Sequence, residues 1–269
     1  MTGARLFVPG DAGALALGAE EVERAITAAA RRRGLTVEII RTGSRGLYWL
    51  EPMIEATTPQ GRIAYGPVRA ADVEALFAAG WLDGGAHPLR LGPPEEIPFL
   101  KRQSRLTFAR CGIVDRLSLE DYRAHGGWRG LERAIALGPE ATVEQVIQSG
   151  LRGRGGAGFP TGIKWRTTAQ TAAPQKYVVC NADEGDSGTF ADRMIMEGDP
   201  YVLIEGMTIA GIAAGATKGY IYIRSEYPHA IDTLGRASTA ARKAHYIGAK
   251  LLGSRYAFDL EIQVGAGGY

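Results

Sequence analysis

The chain has 269 residues, 45% hydrophobic and 22% charged, a composition that suits one or two globular domains. A formal net charge of +2 gives no general attraction to nucleic acid or to a membrane surface. Its two cysteines, Cys111 and Cys180, cannot supply the four thiolates of an ordinary iron–sulfur cluster, and no CxxC spacing exists for zinc.

In chain order, residues 1–82 read as a small α/β unit. Arg5–Val8 is a short strand and Gly18–Arg33 a helix, whose closing run Arg31-Arg32-Arg33 places cations at the negative end of the helix dipole. Leu35–Ile40 is a second strand, and Met53–Thr57 and Arg62–Tyr65 form a hairpin about Thr58-Pro-Gln-Gly61. Ala71–Ala79 closes the unit with a helix. Strand, helix, strand, hairpin, helix is the order of a thioredoxin-like domain, here without a cysteine to hold a cluster, and a docking surface for another subunit is its expected use. Residues 83–100 carry Gly84-Gly85, Pro88, Pro93-Pro94 and Pro98 and read as an extended linker.

Residues 101–269 form the second domain. Ala141–Gln148 is an amphipathic helix with Val143, Val146 and Ile147 on one face. It leads into Gly150-Leu-Arg-Gly-Arg-Gly-Gly-Ala-Gly-Phe-Pro-Thr-Gly-Ile-Lys-Trp165, where glycines at 153, 155, 156, 158 and 162 alternate with Arg152, Arg154 and Lys164. Backbone N–H groups without a side chain in the way can approach a flat or anionic ligand, and the cations suit a phosphate. Gly153-x-Gly155-x-x-Gly158 matches the dinucleotide fingerprint in form. It follows a helix and runs into Phe159-Pro160, however, which argues against a standard Rossmann first turn. A flexible linker or an Arg-Gly-Gly RNA segment would be polar, whereas Phe, Pro, Ile and Trp follow at once.

From Lys176 the pattern is β-α-β-α-β. Strands at Tyr177–Cys180, Gly219–Arg224 and Phe258–Val264 alternate with helices at Tyr201–Ala214 and Pro228–Gly248, which implies a parallel sheet with covering helices. The residues just after the strands are Asn181-Ala-Asp-Glu-Gly-Asp-Ser-Gly188, Ser225-Glu-Tyr227 and Gly265-Ala-Gly-Gly-Tyr269. They fall on the edge where open α/β sheets bind ligands. Asn181, Asp183, Glu184 and Asp186 suit the hydroxyls of a ribityl or ribose chain; an acidic surface turn or a magnesium site are the other readings. The glycine loop and this turn are expected to face each other across one cleft. Glu205 interrupts the apolar stretch Tyr201–Ala216, which is too short to span a bilayer, and reads as a paired core carboxylate. The histidines 87, 125, 229 and 245 are scattered, so no metal site is expected. The N-terminus has no apolar signal region, and a soluble cytoplasmic protein is the expectation.

Taken together, the motifs resemble the flavin-binding NADH dehydrogenase subunit shared by respiratory complex I, bidirectional hydrogenases and soluble formate dehydrogenases. The carrying residues are Gly153–Trp165, Asn181-Ala-Asp-Glu184 with Gly188-Thr189, Val202–Met207, Gly219–Tyr227 and Gly265-Ala-Gly-x-Tyr269. Arg41-Thr-Gly-Ser-Arg-Gly46 and Trp49-Leu-Glu-Pro52 look closest to the diaphorase (β) subunit of NAD-dependent formate dehydrogenase, where a thioredoxin-like domain precedes a Rossmann-like FMN-binding α/β domain. The resemblance implies FMN and NAD as cofactors. Gly153, Arg154, Gly155, Gly156, Lys164, Asn181, Asp183, Glu184 and Tyr269 would serve FMN, and Ala157, Phe159 and Asp186 would serve NAD. It also implies an iron–sulfur γ subunit and a molybdenum-containing α subunit as partners, with no side chain acting as acid or base. Asp-Glu-Gly-Asp-Ser-Gly188 departs from the Asp-Glu-x-Glu-Pro-Gly of complex I members. The family continues past the tyrosine with a Cys-Gly-Glu-Glu segment and the cysteines of a 4Fe–4S cluster, so a truncated form or fragment is expected. A hydrogenase diaphorase or a complex I subunit is the near alternative, and a non-catalytic assembly module the distant one.

Overall fold

A computed structural model describes residues 3–267 and divides the chain into two compact α/β units, one of residues 1–116 with Glu197–Asp199, the other of residues 117–196 with 200–269.

In the first unit β1 (Ala4–Pro9) pairs in parallel with β2 (Val37–Thr42) and antiparallel with β3 (Ile54–Thr58). β4 (Gly61–Tyr65) returns from β3 through the expected hairpin and pairs with β5 (Arg90–Gly92), giving the order β2-β1-β3-β4-β5. Between β1 and β2 lie the short α1 (Ala12–Ala16), which Asp11 caps, and α2 (Ala19–Arg32). α2 buries Val22, Ile26, Ala29 and Ala30, the i, i+4, i+7, i+8 stripe of an amphipathic helix. With α3 (Val73–Ala78) it closes a core of Leu6, Val8, Ile54, Ile63 and Trp81. The order strand, helix, strand, hairpin, helix is therefore present. Residues 83–100, read from sequence as a connector, instead supply β5, and α4 (Pro98–Lys101) follows after a 3-10 turn at Pro94–Glu96. Glycine and proline are tolerated on an edge strand, because one side of it need not hydrogen-bond.

The second unit opens with α5 (Leu119–Ala124), α6 (Arg129–Leu137), α7 (Pro139–Gln148) and α8 (Thr161–Gln170). Gly162 in α8 lies against α7: an added Cβ would stand 2.4 Å from Ile147 Cγ1 and 2.6 Å from its backbone nitrogen. The sequence counted this glycine with the ligand loop, whereas the structure uses it for close helix packing. The sheet follows as β6 (Tyr177–Ala182), β7 (Lys218–Arg224) and β8 (Asp259–Gly265), all parallel and in that spatial order. α9 (Ala191–Gly198) and α10 (Pro200–Ala214) connect β6 to β7, and α11 (Pro228–Lys243) connects β7 to β8. α10 is apolar on every side and is buried along most of its length. Tyr177 and Val179 on β6 and Tyr222 on β7 stay exposed. No helix among the described residues is long and apolar enough to cross a membrane.

Candidate functional site

The parallel register fixes where the strands end. Ala182 sits opposite Ile223, and Arg224 opposite Gly265, so the segments after β6, β7 and β8 emerge at one edge of the sheet. In parallel α/β sheets this carboxyl edge is where ligands bind, since the loops there are free of the crossover helices.

The turn after β6 is built around Glu184. Its carboxylate accepts the backbone N–H groups of Asp192 at 2.8 Å and Arg193 at 2.9 Å, the first donors of α9, and the Tyr227 hydroxyl at 3.2 Å. Its carbonyl accepts Arg224 Nη1 at 2.9 Å, and its φ of 47° lies in the left-handed region. Sequence reasoning gave Glu184 to the cofactor; in the structure both carboxylate oxygens hold the turn and the helix start. The neighbouring groups respond to that charge. Asp192 is raised above its ordinary value by burial and then by Glu184, and the Tyr227 phenol is raised by the same two causes. Arg193 and Arg224 lie over the Tyr227 ring, at 5.4 and 5.3 Å. Arg193 was missed from sequence, because nothing local marks a helix-borne arginine as belonging to a turn after β6.

The other residues of this turn are more available. Asn181 is exposed at the end of β6, and its Oδ1 accepts the Asp183 N–H at 3.2 Å. The carboxylates of Asp183 and Asp186 make no hydrogen bond or ion pair among the described residues, while the Asp186 carbonyl accepts both the N–H and the hydroxyl of Thr189.

The glycine loop is pinched at its base. Gly153 N–H donates to the Phe159 carbonyl and Thr161 N–H to the Leu151 carbonyl, both at 2.9 Å. Between these pins the backbone N–H groups of Arg154, Gly155, Gly156, Ala157, Gly158 and Phe159 donate to nothing among the described residues. Neither do the side chains of Arg152, Arg154 and Lys164 make a hydrogen bond or ion pair among the described residues. An added Cβ at Gly155 or Gly156 would meet nothing within 4 Å, and Gly156 has a φ of +105° that side chains resist. Phe159 is half exposed, and Lys164 stands exposed in the first turn of α8, a helix of ten residues without an acidic residue in that turn.

No hydrogen bond or ion pair among the described residues joins the glycine loop to the turn after β6. Tyr269 lies outside the described residues. Cys111 is buried, and burial pushes its thiol up to about 12; Cys180 is partly buried and is pushed up to about 11 by the same cause.

Residues 146–269 match the family described as the Nuo51 FMN-binding domain. The HndC component of the NADP-reducing hydrogenase of Solidesulfovibrio fructosivorans is 48% identical over 169 residues, 63% of this chain and 34% of that protein. A component of the NADH-quinone oxidoreductase of Aquifex aeolicus is 49% identical over 154 residues, 56% of this chain and 35% of that protein. The chain thus spans about a third of the length of these curated relatives. An NAD+-reducing [NiFe]-hydrogenase in its air-oxidized state aligns with 98% of this chain and 43% of its own, at 24% identity and a TM-score of 0.47. The stretch that carries the loop, the turn and the parallel sheet is thus the part of the chain that is similar to the Nuo51 FMN-binding domain.

Proposed function

We propose that the second unit binds FMN and serves as the diaphorase part of a complex I or NAD(P)-linked hydrogenase assembly, exchanging electrons between a nicotinamide dinucleotide and iron–sulfur partners. The observation that carries this reading is the run of backbone donors from Arg154 to Phe159, unpaired among the described residues and flanked by three unpaired cations. FMN offers what such a loop lacks: a phosphate for the cations and N–H groups, and a flat ring for the open space beside Gly155 and Gly156. The residues present fit that cofactor. They do not fit a 4Fe–4S cluster, because the chain has two cysteines, so no step is assigned to one.

In this reading Gly153, Gly155 and Gly156 keep side chains away from the ring, while Arg154 and Lys164 supply charge. Asn181 and Asp183 take the ribityl hydroxyls, and Glu184 serves them by holding their turn. Ala157, Phe159 and Asp186 line the approach of the dinucleotide, with Phe159 offering a ring face for stacking. When bound, the flavin supplies hydride exchange with the nicotinamide and one-electron release. The protein's own work is to bind and orient, and no side chain is required as acid or base.

The relatives belong to a hydrogenase and a quinone oxidoreductase, which supports this reading over a formate dehydrogenase. The finer formate dehydrogenase assignment rests on Arg41–Gly46 and Trp49–Pro52 alone, since the Asp186-Ser-Gly188 departure suits the hydrogenase branch equally. The test is to add FMN to the purified chain and follow NADH-dependent ferricyanide reduction. Flavin-dependent turnover that falls on replacing Lys164 or Asp183 supports the reading. Flavin bound with the same affinity in both variants contradicts it.

A further inference from the structure

A second concentration of cations lies within the first unit. Arg45, Glu95, Lys101, Gln103 and Arg105 line a cavity of about 280 Å³. Most of its charges are matched. Arg45 forms a two-bond pair with buried Glu55, at 2.5 and 3.0 Å, and its Nη1 lies 3.3 Å from Glu95; Lys101 pairs with Glu96. Arg105 is the exception. It makes no hydrogen bond or ion pair among the described residues, and its Nε is buried without a partner. The Phe108 ring 6.0 Å away gives it only a weak aromatic contact. Partial burial lowers its ordinary value, the nearby Cys111 thiol raises it, and the neighbouring Arg45 lowers it further, leaving a net downward shift.

A partly buried guanidinium whose Nε has no partner carries a desolvation cost, and an anion that enters its cavity recovers part of that cost. The geometry points to this cavity as a binding site for a small organic phosphate, with Arg105 as its anchor. Arginine's planar fork fits phosphate oxygens in pairs, and Gln103 and Lys101 add further donors. That is more donor capacity than the two oxygens of a carboxylate need. Leu100, Ala109 and Ile113 form an apolar wall, and the cavity is larger than a bare phosphate ion fills, so the ligand carries an apolar group beside its phosphate. The site is independent of the flavin reading, whose phosphate donors are Arg154 and Lys164 of the other unit.

The experiment is calorimetric titration of the full chain with phenyl phosphate, inorganic phosphate and benzoate, repeated with Arg105→Gln and, as a control, Arg154→Gln. The expected result is a phenyl phosphate site that Arg105→Gln weakens about tenfold or more, separate from any binding at the flavin loop that Arg154→Gln removes, and weaker binding there of the two probes that lack either the apolar group or the phosphate. Arg154→Gln leaves that affinity unchanged. Because Arg105 is unpaired, Arg105→Gln should also melt no lower than the parent without ligand, so lost binding is not lost folding. Unchanged affinity in Arg105→Gln, loss in Arg154→Gln instead, or no binding of phenyl phosphate at millimolar concentration would overturn the proposal.

Discussion

The carboxylate of Glu205, set in the apolar helix α10, accepts the backbone N–H of Trp128 at 2.8 Å. It also accepts the Leu131 N–H at 3.0 Å and the Tyr122 hydroxyl at 2.5 Å, so one buried group satisfies donors at the start of α6 and ties α5, α6 and α10 together. Trp128 itself has a φ of 65° and stacks on Tyr246 at 3.9 Å between ring centroids. Removing the acceptor strands three donors in the core. Glu205→Ala should cost about 3 kcal/mol or more of stability, measured by denaturant unfolding of the second unit. A cost below about 1 kcal/mol would show that the carboxylate is not what holds this corner.

Glu184 and Asp183 are adjacent but have different work. Glu184→Ala should cost about 1–2 kcal/mol, as loss of a helix cap does, and should speed amide exchange at Asp192 and Arg193. Asp183→Ala removes no intramolecular hydrogen bond of its side chain and should change stability by less than about 0.5 kcal/mol while weakening FMN. Equal stability losses in the two variants would refute the division.

Two glycines of one motif should likewise separate. Gly162→Ala places a Cβ into Ile147 and should destabilise by about 1–3 kcal/mol. Gly155→Ala meets nothing within 4 Å and should leave unfolding unchanged while reducing flavin retention. The check is the melting curve of each variant beside its visible spectrum.

Glu51 gives the first unit a pH dependence. It is buried, its carboxylate accepts the Ser44 hydroxyl and the Met53 N–H, and burial, with Asp11 adding to it, pushes it up from 4.5 to about 8. Between those values the folded state keeps a proton that the unfolded state has released. The stabilisation is therefore fully present below about 4.5 and is lost as pH rises through about 8, with a slope of up to about 1.4 kcal/mol per pH unit. Glu51→Gln should flatten the stability profile over that window; an unchanged slope would contradict the assignment.

Much of the architecture was legible because it is written in short-range pattern. The short apolar runs and the Thr58-Pro-Gln-Gly61 turn at β1, β3 and β4, and the greasy runs at β6, β7 and α10, mark elements within a few residues of those observed. β5 was hidden, because Gly84-Gly85 and the prolines around it are equally the marks of a connector and of an edge strand. The unpaired donors at 154–159 were visible as a glycine- and arginine-rich run, since those residues declare themselves locally. Glu205 was seen only as a core carboxylate needing a partner, and its backbone partners lie 77 and 74 residues away in sequence. Glu184 looked like its acidic neighbours; only the path of the chain from β6 into α9 separates a cap from a ligand group.

In the proposed function the backbone donors from Arg154 to Phe159 receive the phosphate and ring of FMN. The direct measurement is the amide spectrum of the isotopically labelled chain during an FMN titration. Saturable shifts at residues 154–159, lost together in a variant carrying Arg154→Gln and Lys164→Gln, are expected. FMN bound at saturation with those six amides unmoved, or moved identically in the charge-removed variant, would contradict that placement.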